Sequence, residues 1–305
     1  MPEAVETKEL SADYEKFALE YLGETRKKRE TALKEFEKWI DGNKKIVECP
    51  RDDSFLLRFL RAKKFDVAAA GELFENYLFY NNFYPQWFKN ISTGDEIVAE
   101  IIDSGWIVPL PKKDKAGRQI IFYRTKRLDP DRVTSADMTK AQELVCRRLL
   151  QDDEVQIGGA IFLSDDADLL QDHITMWTLV DFKKFFDFTS KGAPINLVAI
   201  YRMNLPGFAR SFYEVVGTVM GPMLKDKMKI ITDNAHLHSL IDPSLLPSEY
   251  GGELDLKQIE EDFKAGIRAE NHKKFDVSPL KIREDLFDKE ALMSIRSNFR
   301  KLELD

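Results

Sequence analysis

Cysteine is scarce in this chain of 305 residues: Cys49 and Cys146 are the only two. Neither sits in a metal-like spacing, and two thiols cannot build a disulfide framework, so a reducing compartment is expected. Long apolar runs are missing as well. No window approaches the ~20 apolar residues that a membrane span needs. The start, Met1-Pro2-Glu3-Ala4-Val5-Glu6, has neither a basic n-region nor an apolar h-region. These absences predict a soluble, cytoplasmic protein without a secretory signal. Basic charge does not dominate either: 46 Lys and Arg face 53 Asp and Glu, for a net charge of −7. That argues against a general nucleic-acid binder but leaves room for a local basic patch.

Catalytic signatures are absent too. There is no Gly-x-Ser-x-Gly elbow, no phosphate-cradling glycine loop and no His-Glu-x-x-His pair. His236 and His238, at i and i+2, cannot share a helix face, although a strand would bring them to one side; they read as surface or cap residues near Asp233. His173 follows Asp172 at a helix start, which suits local capping. Asp165, Asp166 and Asp168 form an acidic cluster after a strand. Such carboxylates can bind a cation but are more often solvated or capping. No catalytic residue, no metal and no cofactor is expected.

What is present is a change of character along the chain. In the first hundred residues the apolar positions follow helical spacing. Ser11 is placed to cap a helix carrying Tyr14, Phe17 and Tyr21. The charged run from Arg26 to Glu35 is a solvated helix face leading to Leu33, Phe36 and Ile40. A further helix starts at Asp53 or Ser54, with Phe55/Phe59 and Leu56/Leu60 at i, i+4. Another runs from about Asp66 to Tyr80 and buries Val67, Ala70, Phe74, Tyr77 and Leu78. Beyond Asn90, strands alternate with helices. A short helix holds Ile97 to Ile102, and Trp106 to Leu110 follows. A turn at Lys112–Gly117 leads into a strand from Gln119 to Arg124. Then come a helix from Ser135 to Leu150, a strand from Gly158 to Leu163 and a helix from Leu169 to Phe188. That alternation predicts an α/β sheet. After Glu253 a charged helical tail (Ile259, Phe263, Ile267, then Phe287, Leu292, Ile295) is expected to pack across the sheet unit.

The chain is organised around Pro194 to Glu253. A β-branched run from Pro194 to Tyr201 predicts a strand covered on both faces. Asn204-Leu205-Pro206-Gly207 breaks it and introduces a helix with Phe208, Phe212, Val215, Val216 and Val219. Asn204 is placed to cap that helix, Pro206 falls in its first turn, Gly217 and Gly221 loosen it and Pro222 stops it. A strand at Lys229–Thr232 and the clasp Leu246-Pro247-Ser248-Glu249-Tyr250-Gly251-Gly252 complete the unit. The helix is read as a lid over an apolar cavity. Detaching its five apolar residues in water would cost on the order of 10 kcal/mol.

Three segments in order resemble the CRAL-TRIO lipid-transfer family. Phe55-Leu56-Leu57-Arg58-Phe59-Leu60-Arg61-Ala62-Lys63-Lys64-Phe65-Asp66 is similar to the signature of its amino-terminal helical domain. Ala116-Gly117-Arg118-Gln119-Ile120-Ile121 is similar to the turn and strand that begin its lipid-binding domain. Ile195 through Gly252 is similar to its lid and closing motif. The resemblance implies an all-helical domain (1–92), then an α/β lipid-binding domain (93–253) with a mixed sheet flanked by helices and an apolar pocket under a lid helix, and a helical tail (254–305).

On pattern alone the aromatics of this region are ordinary core; the resemblance makes them pocket wall. The ligand-binding set it implies is Ala160, Phe162, Trp177, Phe185, Phe188, Ile195, Ile200, Phe208, Phe212, Val216 and Val219. The implied function is that of a monomeric carrier for one hydrophobic molecule, tocopherol- or retinoid-like, with transient contact to membranes. A phosphatidylinositol or phospholipid exchanger and a lipid-sensing interaction scaffold are the alternatives. Phosphoinositide-sensing members carry a basic cleft beside the lid. Lys63 and Lys227 match two of its positions, whereas Asn196 and Ile231 stand where two more basic residues would be. Lys225, Lys229 and Arg61 are candidate substitutes. The segment from Asn204 to Pro222 is about one helical turn (~4 residues) longer than the family pattern.

Overall fold

The computed structural model describes residues 10, 12–270 and 280–288. Ser11, Leu292 and Ile295 lie outside the described residues, as does the Val219 side chain. Helices open the chain: α1 (Ala12–Leu22), α2 (Arg26–Gly42), a short strand β1 (Ile46–Glu48), α3 (Asp53–Ala62), α4 (Val67–Phe83) and the single turn α5 (Pro85–Phe88). Their starts have local causes. Asp52 accepts from Phe55 N at 2.9 Å and Asp66 from Ala69 N at 3.0 Å, meeting donors that a first helical turn leaves open. Phe59 lies edge-on to Phe74 and Tyr77, with centroids 4.8 and 5.3 Å apart, so the i, i+4 pattern of α3 and α4 closes an aromatic core.

The chain then alternates through α6 (Glu96–Ser104), β2 (Ile107–Lys113), β3 (Gln119–Arg124), α7 (Ser135–Leu149), α8 (Asp153–Gly158), β4 (Ala160–Asp165), α9 (Gln171–Thr175) and α10 (Leu179–Lys191). It continues through β5 (Leu197–Met203), α11 (Gly207–Val219), α12 (Pro222–Lys225), β6 (Met228–Ile231), α13 (Asn234–Leu240), α14 (Leu256–Ala269) and β7 (Lys281–Ile282). Strands β2 to β6 form one mixed sheet in sequence order, antiparallel between β2 and β3 and parallel thereafter. β1 and β7 make a separate ribbon. Parallel neighbours need long crossovers, and the helices between β3 and β6 supply them. The hairpin turn ends on Gly117 at φ 71°, a left-handed conformation that glycine adopts without strain.

The sheet is covered on both faces. Ile120, Phe122, Ile161, Leu163 and Tyr201 pack on one side against Leu237, Leu246, Tyr250 and Leu256. Gly252 closes that layer at close quarters: a Cβ there would lie 1.9 Å from Leu246 O. The opposite face looks toward α7, α10 and α11. Arg61, buried in α3, joins the helical unit to this one. It donates to both carboxylate oxygens of Glu24 and, through Nη1, to Asp153 and Gln156 at 2.9 Å each.

Several local expectations are corrected. The helix expected over Leu169–Phe188 is two, because Thr178 and Asp181 form a capping box that starts α10 afresh. Asn204 does not cap α11. It adopts a left-handed φ of 55° and donates through Nδ2 to Asp165 Oδ1 at 2.9 Å, while Pro206 takes the cap position without a side-chain bond. Pro222 opens α12 instead of stopping α11, which ends at Val219, and Gly221 lies between the two helices. His236 and His238 stand on a helix, α13, capped by Asp233. Of the tail, Phe263 and Ile267 on α14 are buried, and Phe287 packs against Phe79 and Phe83.

Candidate ligand pocket

A cavity of about 150 Å³ lies between the sheet and α7, α10 and α11. Its floor follows from strand periodicity. Parallel register aligns Ile121, Phe162, Ile200 and Met228 across β3 to β6, and two residues on it aligns Tyr123, Ser164 and Arg202. Side chains two apart on a strand share a face, so both rows meet the same helices. The walls are aromatic. Trp177 stacks on Phe182 at 4.9 Å and meets Phe185 edge-on at 5.4 Å; Phe182 reaches Phe212 of α11 at 5.5 Å.

Of the eleven wall residues expected from sequence, Phe162, Trp177, Phe185, Ile200 and Phe212 line this cavity. Phe188 and Ile195 line a second space of about 20 Å³ beside it, and Thr139, Gln142, Phe162 and Phe185 border both. Ala160 and Val216 are packed in the core and touch neither space, while Phe208 is 43% exposed. Phe208 and Phe212, one turn apart, therefore occupy different environments. The Val219 side chain is outside the described residues. Ser164, Arg202, Tyr213, Phe182, Met138 and Met228 line the cavity without having been foreseen. Period-two extension from Phe162 to Ser164 and from Ile200 to Arg202 was the available signal.

One end of the pocket is polar. Arg202 makes a two-pronged pair with buried Asp166, Nε to Oδ2 at 2.9 Å and Nη2 to Oδ1 at 2.7 Å. Burial pushes the Asp166 carboxyl up, and Arg202 pulls it back. Burial also pushes the phenols of Tyr123 and Tyr213 up, so both stay protonated at physiological pH. His173 accepts from Leu170 N through Nδ1 at 3.0 Å, which leaves Nε2 to donate to Leu128 O at 3.0 Å. Both ring nitrogens are engaged, as local capping requires.

The acidic cluster is divided between structural tasks. Asp165 accepts from Asn204 and, at 2.6 Å, from the Tyr250 hydroxyl, while Asp166 holds Arg202. Among the described residues no group of three or more His, Cys, Asp or Glu is arranged to hold a metal ion. No described helix is long and apolar enough to cross a membrane.

Beside α11, Lys227 donates to Leu197 O, and burial lowers its ammonium, with Lys63 nearby lowering it further. Asn196 lies 3.5 Å from the Tyr21 hydroxyl. Lys225 and Lys229 are exposed, and Lys229 shares the strand face of Ile231, turned from the cavity. Arg61 cannot substitute in this cleft, since Glu24, Asp153 and Gln156 occupy it.

The geometry is that of an apolar cavity enclosed between a sheet and helices, and comparison places the chain in a class. A CRAL/TRIO domain matches residues 103–252, and the CRAL/TRIO N-terminal domain matches residues 3–76. The chain belongs to the CRAL/TRIO family of lipid-binding and transfer proteins. It is similar to an alpha-tocopherol transfer protein-like protein of Mus musculus, 30% identical over 227 residues, covering 70% of this chain and 64% of the relative. It is also similar to Clavesin-1 of Rattus norvegicus, 31% identical over 208 residues, covering 67% of this chain and 58% of the relative. The matches thus span less than two thirds of the length of these curated relatives. Among solved structures, that of Sfh5 aligns over 97% of this chain and 100% of its own at 14% identity and a TM-score of 0.45.

Proposed function

We propose that the chain is a carrier that holds one hydrophobic molecule between its sheet and α11 and releases it where α11 meets a membrane. The observation that carries this reading is the division of α11 between two environments. Phe212 and Tyr213 close the cavity and Val216 is buried, whereas Phe208 and Val215 are 43% and 49% exposed, with Met223 just beyond at 46%. An apolar outer face on a cavity lid suits a lipid interface better than water. Lifting α11 releases chiefly Phe212 and Val216, about 5 kcal/mol at roughly 1.5–3 per side chain. That is less than five buried residues would demand, because Phe208 and Val215 already face solvent and the Val219 side chain lies outside the described residues.

The cavity of about 150 Å³ is smaller than the ~300–1,000 Å³ of sites that enclose drug-sized ligands, so loading requires α11 to move outward. A tocopherol- or retinoid-like lipid is the proposed cargo, in keeping with the name of the transfer-protein relatives. The carrier is proposed to be a non-enzyme and a monomer, with 1–92 as a helical unit, 93–253 as the lipid-binding unit and 254–305 as a tail. Lys63, Lys225, Lys227 and Lys229 are proposed as contacts to an anionic membrane surface. Native mass spectrometry of the purified chain, with extraction of the bound molecule, is the test. One lipid per chain, recovered unchanged and passed between vesicles, is the expected outcome. A chain that copurifies with no lipid and transfers none is not a carrier.

A further inference from the structure

The cavity floor has two rows of different chemistry. The row of Phe162, Ile200 and Met228 is apolar, and the row of Ser164 and Arg202, two residues further along the same strands, is polar. Ser164 and Arg202 are register partners on neighbouring parallel strands, so their side chains stand side by side. Arg202 spends Nε and one Nη2 hydrogen on Asp166. Among the described residues its Nη1 has no acceptor and Ser164 Oγ has no hydrogen-bond partner, and both residues line the cavity.

We propose that this end of the pocket is a head-group subsite for an uncharged oxygen function, a carbonyl or hydroxyl, on a long apolar chain, with Ser164 and Arg202 as its specificity-determining residues. The assignment rests on the carrier reading and deepens it. Two donors side by side suit one oxygen acceptor. A pure hydrocarbon would leave both unmet in an apolar enclosure, a loss that falls on the complex. Charge decides against an anionic head. Asp166 already neutralises Arg202, and the other basic side chain on the cavity wall, His173, has both nitrogens engaged. A carboxylate or phosphate would enter without a free counter-charge, which a low-dielectric site penalises.

The test uses the full chain stripped of lipid and offered hexadecane, hexadecanol, a methyl ketone of matched length and palmitate at neutral pH, with occupancy read by native mass spectrometry. The parent should hold the alcohol and the ketone about ten-fold more tightly than hexadecane, and palmitate less tightly than the alcohol. Arg202→Met combined with Asp166→Leu removes both charges and should level alcohol with alkane, the readout being the ratio of the two affinities within the one variant. Ser164→Ala, a milder change that keeps the ion pair, should narrow the preference by a few-fold and decides the matter if the double variant does not fold. Hexadecane bound as well as the alcohol by the parent, palmitate bound best, or a preference untouched by both changes overturns the subsite alone. A parent that takes up none of the probes, hexadecane included, overturns the carrier reading and the subsite with it.

Discussion

The Arg202 guanidinium lies 4.1 Å from the centre of the Tyr213 ring, so the floor of the pocket touches α11 through a cation–π contact. Arg202 is fixed from the other side by Asp166, which is itself wholly buried. α11 therefore rests, through Tyr213, on a side chain that a two-pronged ion pair holds in place.

That contact should slow the lid. A partly desolvated cation–π pair is worth roughly 1 kcal/mol, about five-fold in an opening equilibrium. Tyr213→Leu is expected to speed leakage of a bound fluorescent lipid into water by about that factor. Tyr213→Phe keeps the ring and should leak at nearly the parent rate. Equal leakage from the leucine variant and the parent would show that the stack does not hold α11.

The Asp166–Arg202 pair gives a stability prediction with a defined sign. Arg202→Met alone strands a buried carboxylate and should lower unfolding free energy by roughly 3–5 kcal/mol, whereas the paired change to Met and Leu should be neutral or stabilising. Burial holds the Asp166 carboxyl above its ordinary value of 3.8. A group raised in the folded state contributes stability that is full below its unfolded pKa and is lost as pH rises through the folded one. The parent should therefore lose ground to the double variant as pH climbs from about 3.8 toward neutrality. Urea midpoints of both proteins across that range check it, and a gap that shrinks with rising pH contradicts the assignment.

The architecture was legible because it rests on repeated, local signals. Phe55/Phe59 and Leu56/Leu60 announce α3, and strands alternating with helices announce an α/β sheet. The break at Asn204 to Gly207 marks the start of α11, and the clasp ending in Gly251-Gly252 closes the sheet unit. The polar end of the pocket was hidden for a physical reason. Arg202 and Asp166 are 36 residues apart and look like surface charges until sheet register brings them together. Asn204 misled in the same way, since a residue that often caps a helix is here turned back to Asp165. Phe208 and Phe212 have one spacing but two environments, because only packing distinguishes the inner from the outer face of a helix.

Asn204 lies just before α11 in a strained backbone position. Its left-handed φ of 55° and its bond to Asp165, which also accepts from Tyr250, fasten the segment before α11 to the 246–252 clasp. Asn204→Gly removes the bond but keeps the backbone at ease; Asn204→Ala removes the bond and adds roughly 1–2 kcal/mol of left-handed strain. The alanine variant should melt below the glycine variant, and the glycine variant below the parent. Thermal midpoints in reverse order would mean that neither the bond nor the conformation matters there.

The outer face of α11 offers the clearest separation of docking from folding. Phe208 and Val215 are two turns apart and both exposed, whereas Phe212 faces the cavity. Charging the exposed pair removes apolar area that water already reaches, so the folded state has little to lose. A bilayer interface does lose, because carboxylates resist the acyl boundary and are repelled by anionic head groups. Phe208→Asp with Val215→Asp should keep the parent's thermal midpoint and its lipid occupancy while vesicle cosedimentation falls at least several-fold. Phe212→Asp should do the opposite, lowering occupancy and stability, since it buries a charge among Phe182 and Tyr213. If the Phe208/Val215 variant sediments with vesicles and transfers lipid as the parent does, some other surface meets the membrane.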